Sequence, residues 1–393
     1  MNHLYDCIIV GGGSMGSAAA YHLSKNGQKV LLLEQFDFIH EQGAHGGQSR
    51  LIRKAYFEHP DYVPLLLRAY KNWAALEKET QEQVYFETGI LYFGEKNEPS
   101  LANIRQSAQL NDLRLTTLSM TDAKQKYPMF AAVPDDWESL LEPEAGFLLV
   151  EKCVHLHLQL AIKHGARLLA REKVIKWTEN TEGVVVVTEK QEYHAKKVIF
   201  TAGAWTDKLL THLNVPLKVT RQILGWVSPK NWDDFSLGKF PCWGIFDKEK
   251  SLYYGMPILN TEGTTGALGL KLGCHFHGAV VNPDSVDRDI TEADEATFRE
   301  GLKKYMPAAN GDTLAIKTCL YTNSPDEHFI IDHYPKHKNV ILTCGFSGHG
   351  FKFASVIGEI LSDLAIHGKT KQPIGFLSLK RFGKMKKSNF SNA

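Results

Sequence analysis

Cysteine is sparse and scattered. The six residues Cys7, Cys153, Cys242, Cys274, Cys319 and Cys344 form no C-x-x-C pair and show no His/Cys ligand spacing. That argues against a disulfide framework or a zinc centre, and for a reducing cytoplasm. No run of 18 apolar residues exists, which excludes a membrane-spanning helix on sequence grounds. There is no basic excess either. Lys plus Arg (45) against Asp plus Glu (44) leaves a formal charge of +1, whereas a nucleic-acid or anionic-membrane binder needs a cationic surplus. No basic n-region or cleavage pattern precedes residue 5, where a strand pattern begins. Internal repeats and low-complexity segments are absent. The final "KMKKSNFSNA" is polar and basic, and residues 385–393 read as a tail.

What is present is an ordinary globular composition, 43% hydrophobic and 23% charged over 393 residues. That length implies two or three domains with ample core. "YDCIIV" reads as a strand, "GGGSMGSAAAYHLSKNG" as a Gly-rich turn and helix, and "QKVLLLE" as a second strand. Gly27 suits the position after the helix. A parallel βαβ unit of this size opens a doubly wound sheet.

Gly11, Gly13 and Gly16 form G-x-G-x-x-G, which allows a tight turn, close approach to a pyrophosphate and close helix–strand packing. The helix N-terminus supplies N–H donors and a positive dipole end. Glu34 follows Gly16 by 18 residues, at the end of the second strand. An acid there accepts from a ribose hydroxyl and disfavours a 2′-phosphate. The competing reading is a Gly-rich turn that binds nothing. Two further Gly-rich turns after strands, "KKVIFTAGAW" and "NVILTCGFSGHGFKF", suit a long flavin dinucleotide better than a nicotinamide.

Elsewhere the pattern is mixed. Helices are expected within 62–78, 101–111, 121–128, 151–165, 290–306 (Thr291 as cap) and after Gly350. Strands are expected on both sides of Gly89, around 140–150, across 174–200, through 215–275 and at 339–345. The fold class is α/β (α+β overall), a Rossmann-like FAD domain with an antiparallel-sheet substrate domain. The expected division is 1–83, 150–215 and 323–384 for the FAD domain, and 84–149 and 216–322 for the substrate domain.

"IIVGGGSMGSAAAYHL", "SRLIRKAY", "YVPLLLRAY", "FTAGAW", "LYYG", "LKLGCH", "SPDEHFIID" and "GFSGHGFKF" together resemble the monomeric sarcosine oxidase and N-methyl-L-tryptophan oxidase family. These are FAD amine oxidases of the D-amino-acid-oxidase superfamily. The resemblance runs from about residue 4 to 383. It implies covalent FAD, a secondary N-methyl amine of an amino acid as substrate, and O2 as acceptor, in a monomer with no nucleic-acid or membrane partner and no metal. It places flavin attachment on Cys319 and the substrate carboxylate on Arg53 and Lys352. Tyr254, His275 and Tyr321 would line the substrate site, Lys271 the oxygen side of the flavin, and Arg50 another side. Gly11, Gly13, Ser14, Met15, Gly16, Glu34, Gln35, His45, Ser49, Gly203, Trp205, Gly348, His349, Gly350, Phe351 and Lys352 would contact the cofactor. Two departures stand out. Gly46 replaces a second His common in the family, which would enlarge the pocket, and the 255–270 segment is longer, as an extended hairpin tip.

Read physically, Arg50 and Arg53 would share a side on a helical turn. Alone they suit a solvated basic face better; the neighbouring Leu51, Ile52 and Gly-rich loop shift the balance toward burial. A guanidinium matches a carboxylate, and Lys352 would complete a clamp that aims the N-methyl group. In a strand, Lys271, Gly273 and His275 share a face, with Lys271 and His275 about 13 Å apart. Lys271 could equally guard a sheet edge; beside a flavin its ammonium would stabilise reduced oxygen. Cys319 alone reads as a small buried hydrophobe, and His275 as a satisfied core histidine. In "YY", one ring packs and the other faces the site. The expected activity is oxidative demethylation giving formaldehyde, the demethylated amino acid and H2O2. The alternatives are an oxidase of another secondary amine (a cyclic imino acid or a glycated amino acid), a flavin binder without catalysis, and an NAD-linked dehydrogenase.

Overall fold

A computed structural model describes residues 5–249, 251–259, 266–275 and 278–384. The 385–393 tail and most of the expected hairpin tip, residues 260–265, lie outside the described residues.

The first sheet is built around strand Tyr5–Val10. It pairs in parallel with Val30–Leu33 on one side and with Glu192–Phe200 on the other. Outward lie Arg167–Leu169 on the first side, and Val340–Cys344 then Ile330–His333 on the second. These strands are near-continuous apolar runs because both faces are covered. Cys7, Ile9, Leu32, Ile199 and Ile341 pack under helices Ser14–Lys25, Val150–Lys163 and Ala354–His367. Ile8, Val10, Leu33, Phe200 and Leu342 face a different core, roofed by the meander Val174–Glu179, Val184–Thr188 and the start of Glu192–Phe200.

The second sheet has eight strands. Their order is Thr313–Asn323, Lys218–Val227, Leu270–His275, Ser251–Met256, Cys242–Asp247, Ile90–Gly94, Glu138–Glu142 and Thr116–Leu118. All neighbours are antiparallel except Cys242–Asp247 with Ile90–Gly94. Helix Glu292–Tyr305 covers one face, packing Phe298, Leu302 and Tyr305 on Tyr253, Leu270 and Leu272. Thr291 caps that helix in a reciprocal capping box with Asp294. The other face carries Leu224, Trp226, Leu252, Tyr254, Met256 and Tyr321. Tyr253 and Tyr254 thus part to opposite faces, as pleating requires.

The strands expected on both sides of Gly89 are present and belong to different sheets. Tyr85–Glu87 joins a small sheet with Ser49–Ile52 and Gly146–Leu149, whereas Ile90–Gly94 enters the large one. Ser49–Ile52 is a strand, so Arg50 and Arg53 do not share a helical turn. No helix among the described residues is long and apolar enough to cross a membrane. The six cysteines are buried free thiols.

The crossing of helices Ser14–Lys25 and Ala354–His367 depends on Gly358. A Cβ there would stand 2.5 Å from the Ala18 carbonyl carbon. Helix propensity favours Ala over Gly by about 1 kcal/mol. Overpacking against backbone costs about 1–3 kcal/mol and wins. Gly358→Ala should therefore lower unfolding free energy by up to roughly 2 kcal/mol, measured by urea denaturation.

Candidate active site

Where the first sheet ends, its Gly-rich turn is closed by neighbouring backbone. Gly11 has φ +104°, and a Cβ there would lie 2.5 Å from the Thr201 carbonyl oxygen. A Cβ on Gly16 would lie 1.8 Å from the Gly11 carbonyl oxygen. Helix Ser14–Lys25 starts at Gly13 with no side-chain cap, which leaves first-turn N–H groups for a ligand. Glu34 is fixed by the N–H of Gly12 (2.7 Å) and of Phe36 (2.9 Å). Burial opposes its charge, but His40 and these N–H groups hold the carboxyl below its ordinary range. His45 is 6% exposed, and its Nε2 has no hydrogen-bond partner. Burial pushes its pKa down to about 4, so it is neutral at pH 7.

From this cradle one cleft runs to the face of the second sheet. Its space, open mouth included, is about 1940 Å³. Gly11, Gly13, Ser14, Met15, Glu34, Gln35, His45, Gly203 and Trp205 line the cradle end. Arg50, Arg53, Tyr254, His275, Tyr321, Gly348, His349, Gly350, Phe351 and Lys352 line the remainder. Gly348 is needed there: its φ is +80°, and a Cβ would stand 2.3 Å from the Tyr321 ring. Tyr321 hydrogen-bonds to Tyr254, and its hydroxyl lies 3.4 Å from His275 Nδ1.

Gly16, Ser49, Lys271 and Cys319 are not among the lining residues. Lys271 is 2% exposed and donates to the Gly47 and Ser49 carbonyls, 5.5 Å above the Trp226 ring. Burial, then Arg50, pushes its pKa well down. Cys319 is 1% exposed. Burial raises its pKa, while Arg50 and Lys271 oppose the rise. Gly46 does not enlarge the cleft. A Cβ there would point at Glu41, 3.3 Å from its Cα, rather than into the cavity.

The cations of the site differ in how they are satisfied. Arg50 donates to the carbonyls of Ser49 (2.9 Å), Ala44 (3.0 Å) and Gly46 (2.7 Å). Lys352 donates to the His349 carbonyl at 2.9 Å. Arg53 instead meets a carboxylate: its Nη2 reaches both oxygens of Glu58, at 2.8 and 2.7 Å, while its buried Nε has no partner. Glu58, which also lines the cleft, escapes sequence reading, as does His40. No local pattern pairs Glu58 with Arg53; the turn after strand Ser49–Ile52 brings them together.

A dinucleotide cradle opening into one long cleft fits a dinucleotide-dependent oxidoreductase. The family model described as FAD dependent oxidoreductase (DAO) matches residues 6–364, and the chain belongs to that family. It is 39% identical to a monomeric sarcosine oxidase of Bacillus sp. (strain NS-129), over 97% of this chain and 98% of the relative. It is 36% identical to an N-methyl-L-tryptophan oxidase of Salmonella enteritidis PT4 (strain P125109), over 93% of this chain and 95% of the relative. Among solved structures it is similar to NikD, described as an unusual amino acid oxidase, with TM-score 0.84 and 25% identity over 96% of this chain and 97% of that one. FAD fits the residues present: the unpartnered His45 Nε2, the uncapped first turn after Gly13 and the fixed Glu34 carboxylate offer donors and acceptors where a dinucleotide needs them.

Arg53 and Glu58 carry a pH signature. Burial alone would raise the Glu58 carboxyl, but Arg53 foremost holds it down at about 2, against 4.5 unperturbed. A depressed carboxylate contributes its full stability above the unfolded pKa and loses it as pH falls through the folded one. The loss of unfolding free energy from about pH 5 to about pH 3 should therefore be roughly 2 kcal/mol smaller in Glu58→Gln than in the parent, read by urea titrations.

Proposed function

We propose that the protein is an FAD-dependent oxidase of N-methyl amino acids. It would convert the substrate, O2 and water to formaldehyde, the demethylated amino acid and H2O2. The observation that carries this reading is the cleft itself, with a dinucleotide cradle at one end and Arg53 and Lys352 buried together at the other. When bound, FAD supplies the two-electron chemistry and passes electrons to oxygen.

The chain's own residues bind and aim. Gly11, Gly13, the first turn after Ser14, Glu34 and His45 would hold the dinucleotide. Arg53 and Lys352 would take the substrate carboxylate. The incoming carboxylate exchanges with Glu58 on Arg53, so one anion replaces another and the unpartnered Nε gains an acceptor. Held at that end, the substrate presents its N-methyl group along the wall formed by Tyr254, Tyr321 and His275, a positioning effect. Tyr254 and Tyr321 stay protonated because burial raises both phenols; they donate hydrogen bonds and are not bases. Lys271 is proposed to supply positive field from behind the Gly47–Ser49 loop in its ammonium form, which the Gly47 and Ser49 carbonyls favour against burial. Cys319 is proposed as the covalent attachment point, with Arg50 and Lys271 favouring its thiolate. The protein is proposed to act as a monomer in the cytoplasm, in keeping with six buried free thiols.

A peroxide-release panel tests the activity. N-methylglycine and N-methyl-L-tryptophan should each be compared with L-proline and a fructosyl amino acid. Peroxide with formaldehyde from an N-methyl substrate is the expected result. Turnover confined to the cyclic or glycated amines would reassign the substrate class. A flavin that stays oxidised with all four under nitrogen would overturn the oxidase reading.

Attachment has its own readout. Acid-precipitated parent protein should retain its yellow colour, and Cys319→Ser should release flavin to the supernatant. Release from the parent would refute the covalent link.

A further inference from the structure

We infer that Tyr56 is the positioning residue of the carboxylate-binding cations. The inference rests on the reading that Arg53 and Lys352 take the substrate carboxylate. Tyr56 is fully buried, and its ring serves both cations. The Arg53 guanidinium carbon is 4.5 Å from the ring centroid, and Lys352 Nζ is 5.4 Å from it. Burial, then the Arg53 charge, pushes the Lys352 pKa well down, and the Tyr56 ring face favours its ammonium form, since cation–π attraction strengthens where the cation is desolvated. Arg53, just after strand Ser49–Ile52, and Lys352, in the 3-10 turn Phe351–Phe353, are remote in sequence, and one aromatic ring sets their relative placement.

The hydroxyl adds a second hold. It lies 2.6 Å from His349 Nδ1. His349 Nε2 lies 3.0 Å from the Glu327 carbonyl oxygen, which can only accept. Nε2 therefore carries the proton, and Nδ1 accepts from Tyr56. The same His349 offers its own carbonyl to Lys352 Nζ at 2.9 Å. The contacts close a ring: Tyr56 hydroxyl to His349 imidazole, His349 carbonyl to Lys352, and Lys352 back to the face of Tyr56. Tyr56 is itself anchored from behind. The Ser107 hydroxyl donates to its carbonyl at 2.5 Å, and Glu142 accepts from the N–H of Lys54 (2.6 Å) and of Ala55 (3.2 Å) just before it.

The test measures binding, not turnover. Propionate carries the carboxylate without the amine, and propionamide is its uncharged counterpart. Each is titrated into holoenzyme and followed by the flavin absorbance shift. Tyr56→Phe keeps the ring and loses the hydroxyl; propionate affinity should fall about fivefold. Tyr56→Leu loses both; the fall should reach about thirtyfold. Propionamide should bind all three proteins alike, and KM for the amine should rise more than kcat falls. Unchanged propionate binding in both variants overturns the inference, as does a parallel loss of propionate and propionamide, which marks general damage. Tyr56→Phe keeps the shape of the core, so it decides the matter if Tyr56→Leu does not fold. Arg53→Met and Lys352→Met in the same titration separate the two layers. If they leave propionate binding intact, the carboxylate reading falls and takes this inference with it. If they abolish binding while the Tyr56 variants do not, only this inference falls.

Discussion

The burial of basic side chains is the constraint on which this site is built. Arg53, Lys271 and Lys352 are each less than 5% exposed. A cation removed from water must find an anion or several oriented dipoles. Backbone carbonyls serve Lys271, Lys352 and Arg50. For that, the 44–49 loop must turn its carbonyls inward from two sides, toward Arg50 and toward Lys271. Gly47 makes this possible, with φ +101° and no room for a Cβ beside Leu224. Arg53 differs, because its partner is a mobile kind of group: a carboxylate on a side chain rather than a peptide carbonyl held by a strand.

The two sheets supply opposite halves of the same cleft for topological reasons. The parallel strands of the first sheet end in turns at Gly11 and Thr201, where open α/β sheets bind ligands. The second sheet offers a face rather than an end. Leu252, Tyr254 and His275 stand on adjacent strands, with Leu252 directly opposite His275 and Tyr254 opposite Gly273. Gly273 leaves the space that the Tyr254 ring occupies, since a Cβ there would stand 2.9 Å from its hydroxyl. Pleating alone puts Tyr253 into the helix-covered core and Tyr254 into the cleft.

Much of this was legible because it is local. The G-x-G-x-x-G turn, Glu34 at the strand end, the Thr291 cap and the alternation of Tyr253 and Tyr254 depend on neighbours within a few residues. What escaped depends on distant pairing. Arg50 and Arg53 have helical spacing, but Ser49–Ile52 pairs with Gly146–Leu149 and so becomes a strand. Gly146 permits that pairing, because a Cβ on it would meet the Phe86 carbonyl oxygen at 1.9 Å. Gly46 looked like a gap in the pocket, yet its direction is set by the Glu41 backbone folded over it. Glu58 carries no motif, and Tyr56 closes "SRLIRKAY" without a role of its own; both acquire meaning only once Lys352 arrives from the other end of the chain.

The Arg53–Glu58 pair also explains how so much charge can stay buried between turnovers. Desolvating a guanidinium costs several kcal/mol. Folding meets that cost once, with Glu58 as the partner. A substrate carboxylate that replaces Glu58 leaves the charge on this cation balanced, so binding need not desolvate Arg53 again. Affinity is then set by the difference between two carboxylates competing for one guanidinium. The substrate has two advantages in that contest: Lys352, which Glu58 does not reach by a hydrogen bond, and the unpartnered Arg53 Nε. A neutral ligand has neither, and leaves the Arg53–Glu58 pair as it is. On the proposed reading, the site selects for an anionic group before any feature of the amine is read.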